Sequence, residues 1–200
     1  MPTKKMTALA VSKHELGHWF AARYFGFNQE NIRISIYSGL QGGIYHDAHA
    51  KSWPQPDLPN IEDVLEFLYQ RIICLQCGVA AEFFNKEDSS FDIESIDYAN
   101  SDTAKNDSTQ IFTYTNIARG IRFAGDVSRD NEFKQHEEIL NDCWSRTKQI
   151  IIDNFPIIDA MSKMMADELA LCDYRNNFQI HELLEFLNIA LAQKNECTQN

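Results

Sequence analysis

The chain has few residues that break regular structure and few positive charges. Its 200 residues include only 8 glycines and 5 prolines, without a repeat or a low-complexity tract, so helices should dominate. Lys and Arg number 18 against 29 Asp and Glu, and the net charge of −11 disfavours binding to nucleic acid. Purely apolar runs extend over only a few residues, whereas a bilayer span needs about 20. We therefore expect no membrane span.

Cysteine is also scarce, and the odd number of cysteines argues against a disulfide scaffold. The apolar stretch at residues 6–11 is too short for a signal-peptide core, so we expect a cytoplasmic protein with buried free thiols. Cys74 and Cys77 form a C-x-x-C on the apolar face of a predicted helix, where core packing is favoured over a redox or metal role. The five cysteines are Cys74, Cys77, Cys143, Cys172 and Cys197.

Hydrophobic periodicity predicts a mainly α chain, an α+β fold with one small β-hairpin. A first helix should end at Gly26, and Asn60 should cap the next long helix. The remaining predicted segments are strands at 32–36 and 44–46, an acidic loop at 85–100, helices at 103–123, 132–153 and 157–171, a loop at 172–177 and a last helix at 180–191. We expect one domain over residues 1–200, with the hairpin part at about 1–125 and a C-terminal helical bundle at about 130–195.

The first predicted helix contains the sequence His14-Glu15-Leu16-Gly17-His18, an H-E-x-x-H motif. At roughly 100° per residue, His14 and His18 lie about 40° apart on one helix face, one turn from each other. Two imidazoles need this separation to bind one Zn²⁺. Glu15 lies about 60° from His18, beside the metal without binding it, where it could take a proton from the reacting water. The motif therefore predicts a zinc-dependent hydrolase.

A catalytic zinc site needs a third protein ligand, which the motif does not supply. Ala21 and Tyr24 stand where the extended H-E-x-x-H-x-x-G-x-x-H motif has glycine and histidine. We expect His46 and His49 on the surface at the end of the hairpin, where His46 could also lie near the cleft. We expect Glu82 either to orient a ligand histidine or to form a salt bridge. From spacing alone, the candidates for the third ligand are His46, His49, Glu82, Asp102, Asp107 and His136.

Several ordered segments resemble the peptidase domain of the FtsH-type zinc metalloproteases, peptidase family M41. Residues 11–18 resemble the H-E-A-G-H helix of that family, and residues 32–36 with Gly42-Gly43 resemble the hairpin that follows it. Residues 78–82 resemble its G-G-R-x-A-E segment, residues 101–107 its S-T-G-A-S-N-D segment, and residues 180–184 the end of its C-terminal helical pair. The resemblance covers most of residues 7–190. It implies a zincin-like helical peptidase domain that binds Zn²⁺ and hydrolyses peptide bonds.

By position, the resemblance assigns the third zinc ligand to Asp107, which completes a set with His14 and His18. On a helix, Asp107 shares a face with apolar residues and should point toward the core. Asp102 is the weaker candidate, because it lies on a polar face at a position that needs an N-cap. Glu15 is the expected catalytic base.

The chain departs from the family pattern in two respects. It contains no G-x-x-x-x-G-K-[ST] loop, so we expect no ATPase module of its own, and residues 78–80 lack the family's arginine. Peptides or unfolded proteins are the expected substrates, with a separate ATPase or a homo-oligomer as possible partners. An exposed strand at 32–36 would align the substrate by edge pairing. The alternative is a catalytically silent zinc-binding domain that acts as an interaction module.

Overall fold

In the computed structural model, which describes residues 3–39 and 42–198, helices make up 66% of the structure, as the mainly α prediction requires. Six helices and a small antiparallel sheet form this part of the chain. Asn60 caps the second helix as predicted, because its side chain accepts a hydrogen bond of 3.0 Å from the backbone N–H of Asp63. The elements are α1 (Lys4–Tyr24), β1 (Asn28–Ser38), β2 (Ile44–Trp53), α2 (Ile61–Glu82), β3 (Phe84–Asn85), β4 (Ser90–Phe91), α3 (Ile93–Ser101), α4 (Lys105–Arg122), α5 (Glu132–Leu171), β5 (Arg175–Phe178) and α6 (Ile180–Thr198).

Helices α1, α2 and α5 pack against one another at the centre of a core that extends from Ala8 to Ala190. Helices α1 and α2 lie very close together at Gly17, where an added Cβ would lie 2.1 Å from the backbone oxygen of Cys77. Only glycine allows the two backbones to come this close. The glycine in the H-E-x-x-H motif therefore holds the motif helix directly against α2.

The three-stranded sheet has the order β2-β1-β5, and both pairings are antiparallel. Ile34 pairs with Ala48 of β2 on one side and with Asn176 of β5 on the other. The prediction of an exposed strand at 32–36 is therefore wrong, because β1 is the central strand. The prediction of a loop at 172–177 is also wrong, since β5 occupies part of it. In the described residues, no strand pairs with the outer edge of β2.

The acidic segment at 85–100, predicted as a loop, contains the β3–β4 hairpin and most of α3. Asp92 caps α3 by accepting a hydrogen bond of 3.1 Å from the backbone N–H of Ser95. Ile96 and Ala99 are buried, so α3 has an apolar face despite its acidic composition. Local capping and two buried side chains are sufficient to fold a segment whose charge indicated a solvated loop.

The two helices predicted at 132–153 and 157–171 form one continuous 40-residue helix, α5, with Pro156 inside it. Proline removes one helical hydrogen bond and costs about 3 kcal/mol in a helix interior. Phe155, Ile157 and Ile158 are buried on both sides of Pro156, and burial of such side chains contributes about 1.5–3 kcal/mol each. Tertiary packing therefore outweighs the local preference for a break.

The thiols of Cys74, Cys77 and Cys143 are free and buried, as predicted. The prediction is wrong for Cys172, which is exposed just after the end of α5. The side chain of Cys197 lies outside the described residues, as do Leu40 and Gln41 of the predicted hairpin turn.

By length and composition, α2 could cross a membrane, since it has 22 residues and its most apolar window reaches a mean hydropathy of 1.3. The short apolar runs of the sequence did not predict a helix of this hydropathy, because isolated polar residues interrupt those runs within α2. Of that window, 56% is buried inside the protein. Burial of this kind is what the core helix of a soluble protein shows.

Candidate metal centre

Three side chains from two helices converge at one end of the α1–α2 contact. His14 and His18 come from α1 and Asp107 from α4, and their ligand atoms all lie within 4.8 Å of one another. Asp107 Oδ2 is 3.3 Å from His14 Nε2 and 3.2 Å from His18 Nε2. The i, i+4 spacing places both imidazoles on one face of α1, and α4 brings the carboxylate to the same point. In the described residues, this is the cluster that could hold a metal ion.

The two distances from Asp107 to the histidines fit a tetrahedral Zn²⁺ site. Zinc binds imidazole nitrogen and carboxylate oxygen at about 2.0–2.1 Å, so neighbouring ligand atoms of a tetrahedral site lie about 3.3–3.4 Å apart. The distances of 3.3 and 3.2 Å from Asp107 Oδ2 to the two Nε2 atoms match this edge. They exceed the usual hydrogen-bond length of about 2.9 Å. Two histidines and one carboxylate also leave a fourth position for water or substrate, as in catalytic zinc sites.

Helix α2 orients both imidazoles through their second ring nitrogens. His14 Nδ1 donates to Glu82 Oε2 at 3.0 Å, and His18 Nδ1 donates to the backbone oxygen of Cys74 at 2.8 Å. Because a carbonyl oxygen only accepts, the proton of a neutral His18 must lie on Nδ1, which leaves Nε2 as the free lone pair. Metal-binding histidines in proteins are commonly oriented by such carboxylate or carbonyl partners. The contact of Glu82 with His14 fits both roles predicted for Glu82, because it holds the ring in place and is an ion pair when His14 is protonated.

Gly78 of α2 forms the floor of the site. An added Cβ at this position would lie 2.4 Å from His18 Cε1, 2.5 Å from His18 Nε2 and 2.8 Å from His14 Nε2. Both imidazoles therefore occupy space that any other residue would fill. Sequence reasoning found Gly78 only as part of a family-like segment. The available signal was a glycine inside a strongly predicted helix, where it costs about 1 kcal/mol relative to alanine and needs a packing reason.

Glu15 lies beside the cluster with one oxygen atom left without a partner. The residue is 5% exposed, and its Oε2 has no hydrogen-bond partner among the described residues. Burial raises the pKa of Glu15, an effect opposed by the charges of His18 and His14 and by a hydrogen bond from the backbone of Ala50. An unpaired buried carboxylate oxygen costs free energy, and a raised pKa makes the carboxylate a stronger base. The arrangement suits proton transfer to and from a water molecule.

When no metal is bound, the two ligand histidines hold protons tightly and Asp107 is ionised. Burial lowers the pKa of His14, but its hydrogen bonds to Asp107 and Glu82 and the charge of Glu15 outweigh burial and raise the pKa to about 10. The pKa of His18 is also raised, because Asp107 outweighs burial. Burial alone would raise the pKa of Asp107, but His18 and His14 hold it well below its usual value. A cation at this point would replace protons as the partner of Asp107.

A cleft of about 420 Å³ opens onto the cluster, between the helices α1, α2 and α4 and the outer edge of β2. His46 and His49, the third and sixth residues of β2, line it. His49 is exposed, as expected of a surface residue, and His46 lies at the cleft, as the prediction also allowed. His46 is half-buried, and burial lowers its pKa. Neither His46 nor His49 belongs to the cluster of His14, His18 and Asp107 that could hold a metal ion.

The remaining candidates for the third ligand lie outside the cluster. Asp102 is exposed and ends α3, and Ala104 stands at the N-cap of α4 without a side-chain hydrogen bond. The prediction of Asp102 as an N-cap is therefore wrong, since Ala104, two residues later, is the N-cap of α4. His136 of α5 bonds to Asn116 Oδ1 at 3.1 Å, on a different part of α4 from Asp107. The structure thus brings together His14, His18 and Asp107 but not these two.

A search with protein-family models and a search of curated proteins each found no match to the chain. The functional conclusion therefore depends on the geometry of the site.

Proposed function

We propose that the protein is a zinc-dependent endopeptidase of the FtsH-like, M41 type. The observation that carries this proposal is the buried Glu15 carboxylate, whose Oε2 is unpaired beside the His14, His18 and Asp107 cluster. A silent zinc-binding module would gain nothing from an unpaired carboxylate oxygen at its metal site, because such an atom costs about 1–3 kcal/mol. A hydrolase needs this group as its base.

His14 Nε2, His18 Nε2 and Asp107 Oδ2 would hold the ion. When bound, Zn²⁺ supplies Lewis-acid catalysis, which makes water more acidic and a peptide carbonyl more electrophilic. Glu82 and the backbone oxygen of Cys74 keep both Nε2 lone pairs directed at the same point. The protein's contribution is a fixed ligand geometry that leaves one position open.

Glu15 Oε2 moves the proton during hydrolysis. It accepts a proton from the attacking water as the oxygen adds to the peptide carbonyl carbon, and then gives that proton to the leaving amine as the C–N bond breaks. Its burial keeps bulk water from replacing the carboxylate as proton acceptor. Its raised pKa brings the carboxylate nearer to the working pH of a general base.

The cleft favours an extended peptide as the substrate. The outer edge of β2 lies along the cleft, and the backbone of Ala50 on this strand reaches Glu15. An extended substrate would add a strand to β2 and place its scissile carbonyl next to Glu15. A cleft of about 420 Å³ is too small to hold a folded domain, so the substrates are peptides or unfolded segments. A separate ATPase or a homo-oligomer of this chain would deliver unfolded segments to the cleft. The cytoplasm, which keeps thiols reduced, suits the free cysteines.

Hydrolysis of unstructured casein by the zinc-loaded protein tests the proposal. We expect cleavage that stops when a chelator removes the metal and returns when zinc is added back, as electrophoresis and mass spectrometry of the products would show. Zinc bound at one ion per chain without any cleavage of casein or of a peptide library would favour the silent interaction module instead. Cleavage that resists chelation would point to a contaminating protease.

A further inference from the structure

The permanent charges that line the cleft are paired within the protein, with one exception. Asp47 pairs with Arg33 at 2.8 Å, and Lys51 pairs with Glu30 at 2.8 Å. Glu82 pairs with His14, while Glu15 and Asp107 belong to the metal site. The exception is Arg71 of α2, which lines the same cleft.

Arg71 has no carboxylate partner among the described residues. Its guanidinium contacts the ring of Tyr114 on α4, with Cζ 5.8 Å from the ring centroid. This stacking holds the side chain in place but leaves the N–H groups of the guanidinium without an acceptor in the described residues. The residue is only half-buried, so a ligand can reach it. An orientated guanidinium of this kind is suited to bidentate binding of a carboxylate.

The position of Arg71 relative to the metal site follows from residue offsets along α2 and α4. Arg71 precedes Gly78 by seven residues on α2, and Tyr114 follows Asp107 by seven residues on α4. Seven residues of α-helix correspond to about 10 Å. The two helices thus place the backbones of Arg71 and Tyr114 at the same level, about 10 Å along the helix axes from Gly78 and Asp107 at the metal site. A strand advances about 3.3 Å per residue, so this distance corresponds to about three residues of an extended peptide.

We propose that Arg71 binds a carboxylate of the substrate and makes the protein selective for peptides with a negative charge about three residues from the cleaved bond. This inference rests on the proposed peptidase function and names its substrate class. The carboxylate can belong to an Asp or Glu side chain or to the C-terminus of the peptide, since both offer the same two oxygens. Selection for negative charge is not expected from the surface as a whole, because the net charge of −11 repels acidic peptides.

Kinetics with matched peptides test the role of Arg71. Mass spectrometry of a digested peptide library first identifies a cleaved sequence, and Glu is then compared with Gln at each of the four positions on either side of the bond. We expect Glu at one position to raise kcat/KM about tenfold, through KM rather than kcat. Arg71→Met should remove this preference, and Arg71→Glu should replace it with a preference for Lys. Arg129→Met, which removes an exposed positive charge away from the cleft, should retain the preference for Glu.

The two sources of the carboxylate are separated by capping the peptide. A preference for Glu over Gln in amidated peptides assigns the carboxylate to a side chain, whereas equal rates for Glu and Gln together with a loss of about tenfold in kcat/KM on amidation assign it to the substrate terminus. Equal rates for Glu and Gln with no effect of amidation, or an effect of either change that persists in Arg71→Met, would overturn the role of Arg71 and leave the peptidase function intact.

Binding measured without turnover separates failure of this inference from failure of the peptidase function. Fluorescence anisotropy with labelled Glu and Gln peptides on the zinc-loaded Glu15→Gln variant needs no hydrolysis. We expect the Glu peptide to bind about tenfold more tightly, and the difference to vanish when Arg71→Met is added. If the Glu peptide binds more tightly in this way but the wild-type protein cleaves no peptide, the peptidase function is rejected and the carboxylate site is retained. Equal binding of the Glu and Gln peptides, with no loss of affinity on C-terminal amidation, would reject the carboxylate site.

Discussion

Replacing Glu15 by glutamine should lower kcat/KM for peptide hydrolysis by about 10³-fold while zinc stays bound. Glutamine has nearly the same shape, but its amide cannot accept the proton of the attacking water. The ligands His14, His18 and Asp107 are unchanged, so metal content should remain at one ion per chain. The measurement is steady-state cleavage of a fluorogenic peptide, with zinc content determined on the same sample.

The control for this substitution is Glu87→Gln, which makes the same chemical change at an exposed loop position and should leave kcat/KM unchanged. Far-UV circular dichroism of both variants establishes that they fold alike. If the zinc-loaded Glu15→Gln protein hydrolysed peptides at the wild-type rate, Glu15 would not be the base. The cleft would then need another proton acceptor.

Replacing Gly78 by alanine should weaken zinc binding by about 100-fold. The new Cβ would be fixed to the backbone of α2 and would lie 2.4 Å from His18 Cε1 and 2.8 Å from His14 Nε2. Neither contact is sterically allowed, so both imidazoles must rotate away from Asp107. Competition with a chromophoric zinc chelator measures the change in affinity.

Gly120→Ala provides the matched control, because Gly120 lies in α4 and an added Cβ there would meet no heavy atom within 4 Å. This variant should bind zinc like the wild type and gain about 0.5–1 kcal/mol in free energy of unfolding, since alanine has the higher helix propensity. Wild-type zinc affinity in Gly78→Ala would show that the imidazoles of His14 and His18 do not pack over Gly78 of α2.

The parts of the site set by local geometry could be predicted from the sequence. His14, Glu15 and His18 are neighbours on one helix, so the period of the α-helix alone places the two imidazoles on a common face. For Asp107, the helical period predicts only that this residue of α4 faces the core. Its contact with the two histidines depends on how α4 crosses α1 and α2, which local periodicity does not encode. The family resemblance supplied that step as an expectation.

The elements that were missed depend on contacts between distant segments. Strand β5 has only four residues and no clear alternation, and it forms because β1 offers an unpaired edge about 140 residues earlier. Pro156 stays inside α5 because the core holds both sides of the helix. The role of Gly78 likewise becomes visible only when α1 lies across α2. In each case, tertiary packing overrides or adds to a local preference.

The zinc content of the purified protein after zinc reconstitution, determined by elemental mass spectrometry, tests the central claim most directly. We expect one zinc ion per chain in the wild type, none in His14→Ala or Asp107→Ala, and one in Asp102→Ala, whose exposed carboxylate lies outside the cluster. Absence of zinc from the reconstituted wild type, or zinc retained at full occupancy in Asp107→Ala, would contradict the metal centre formed by His14, His18 and Asp107.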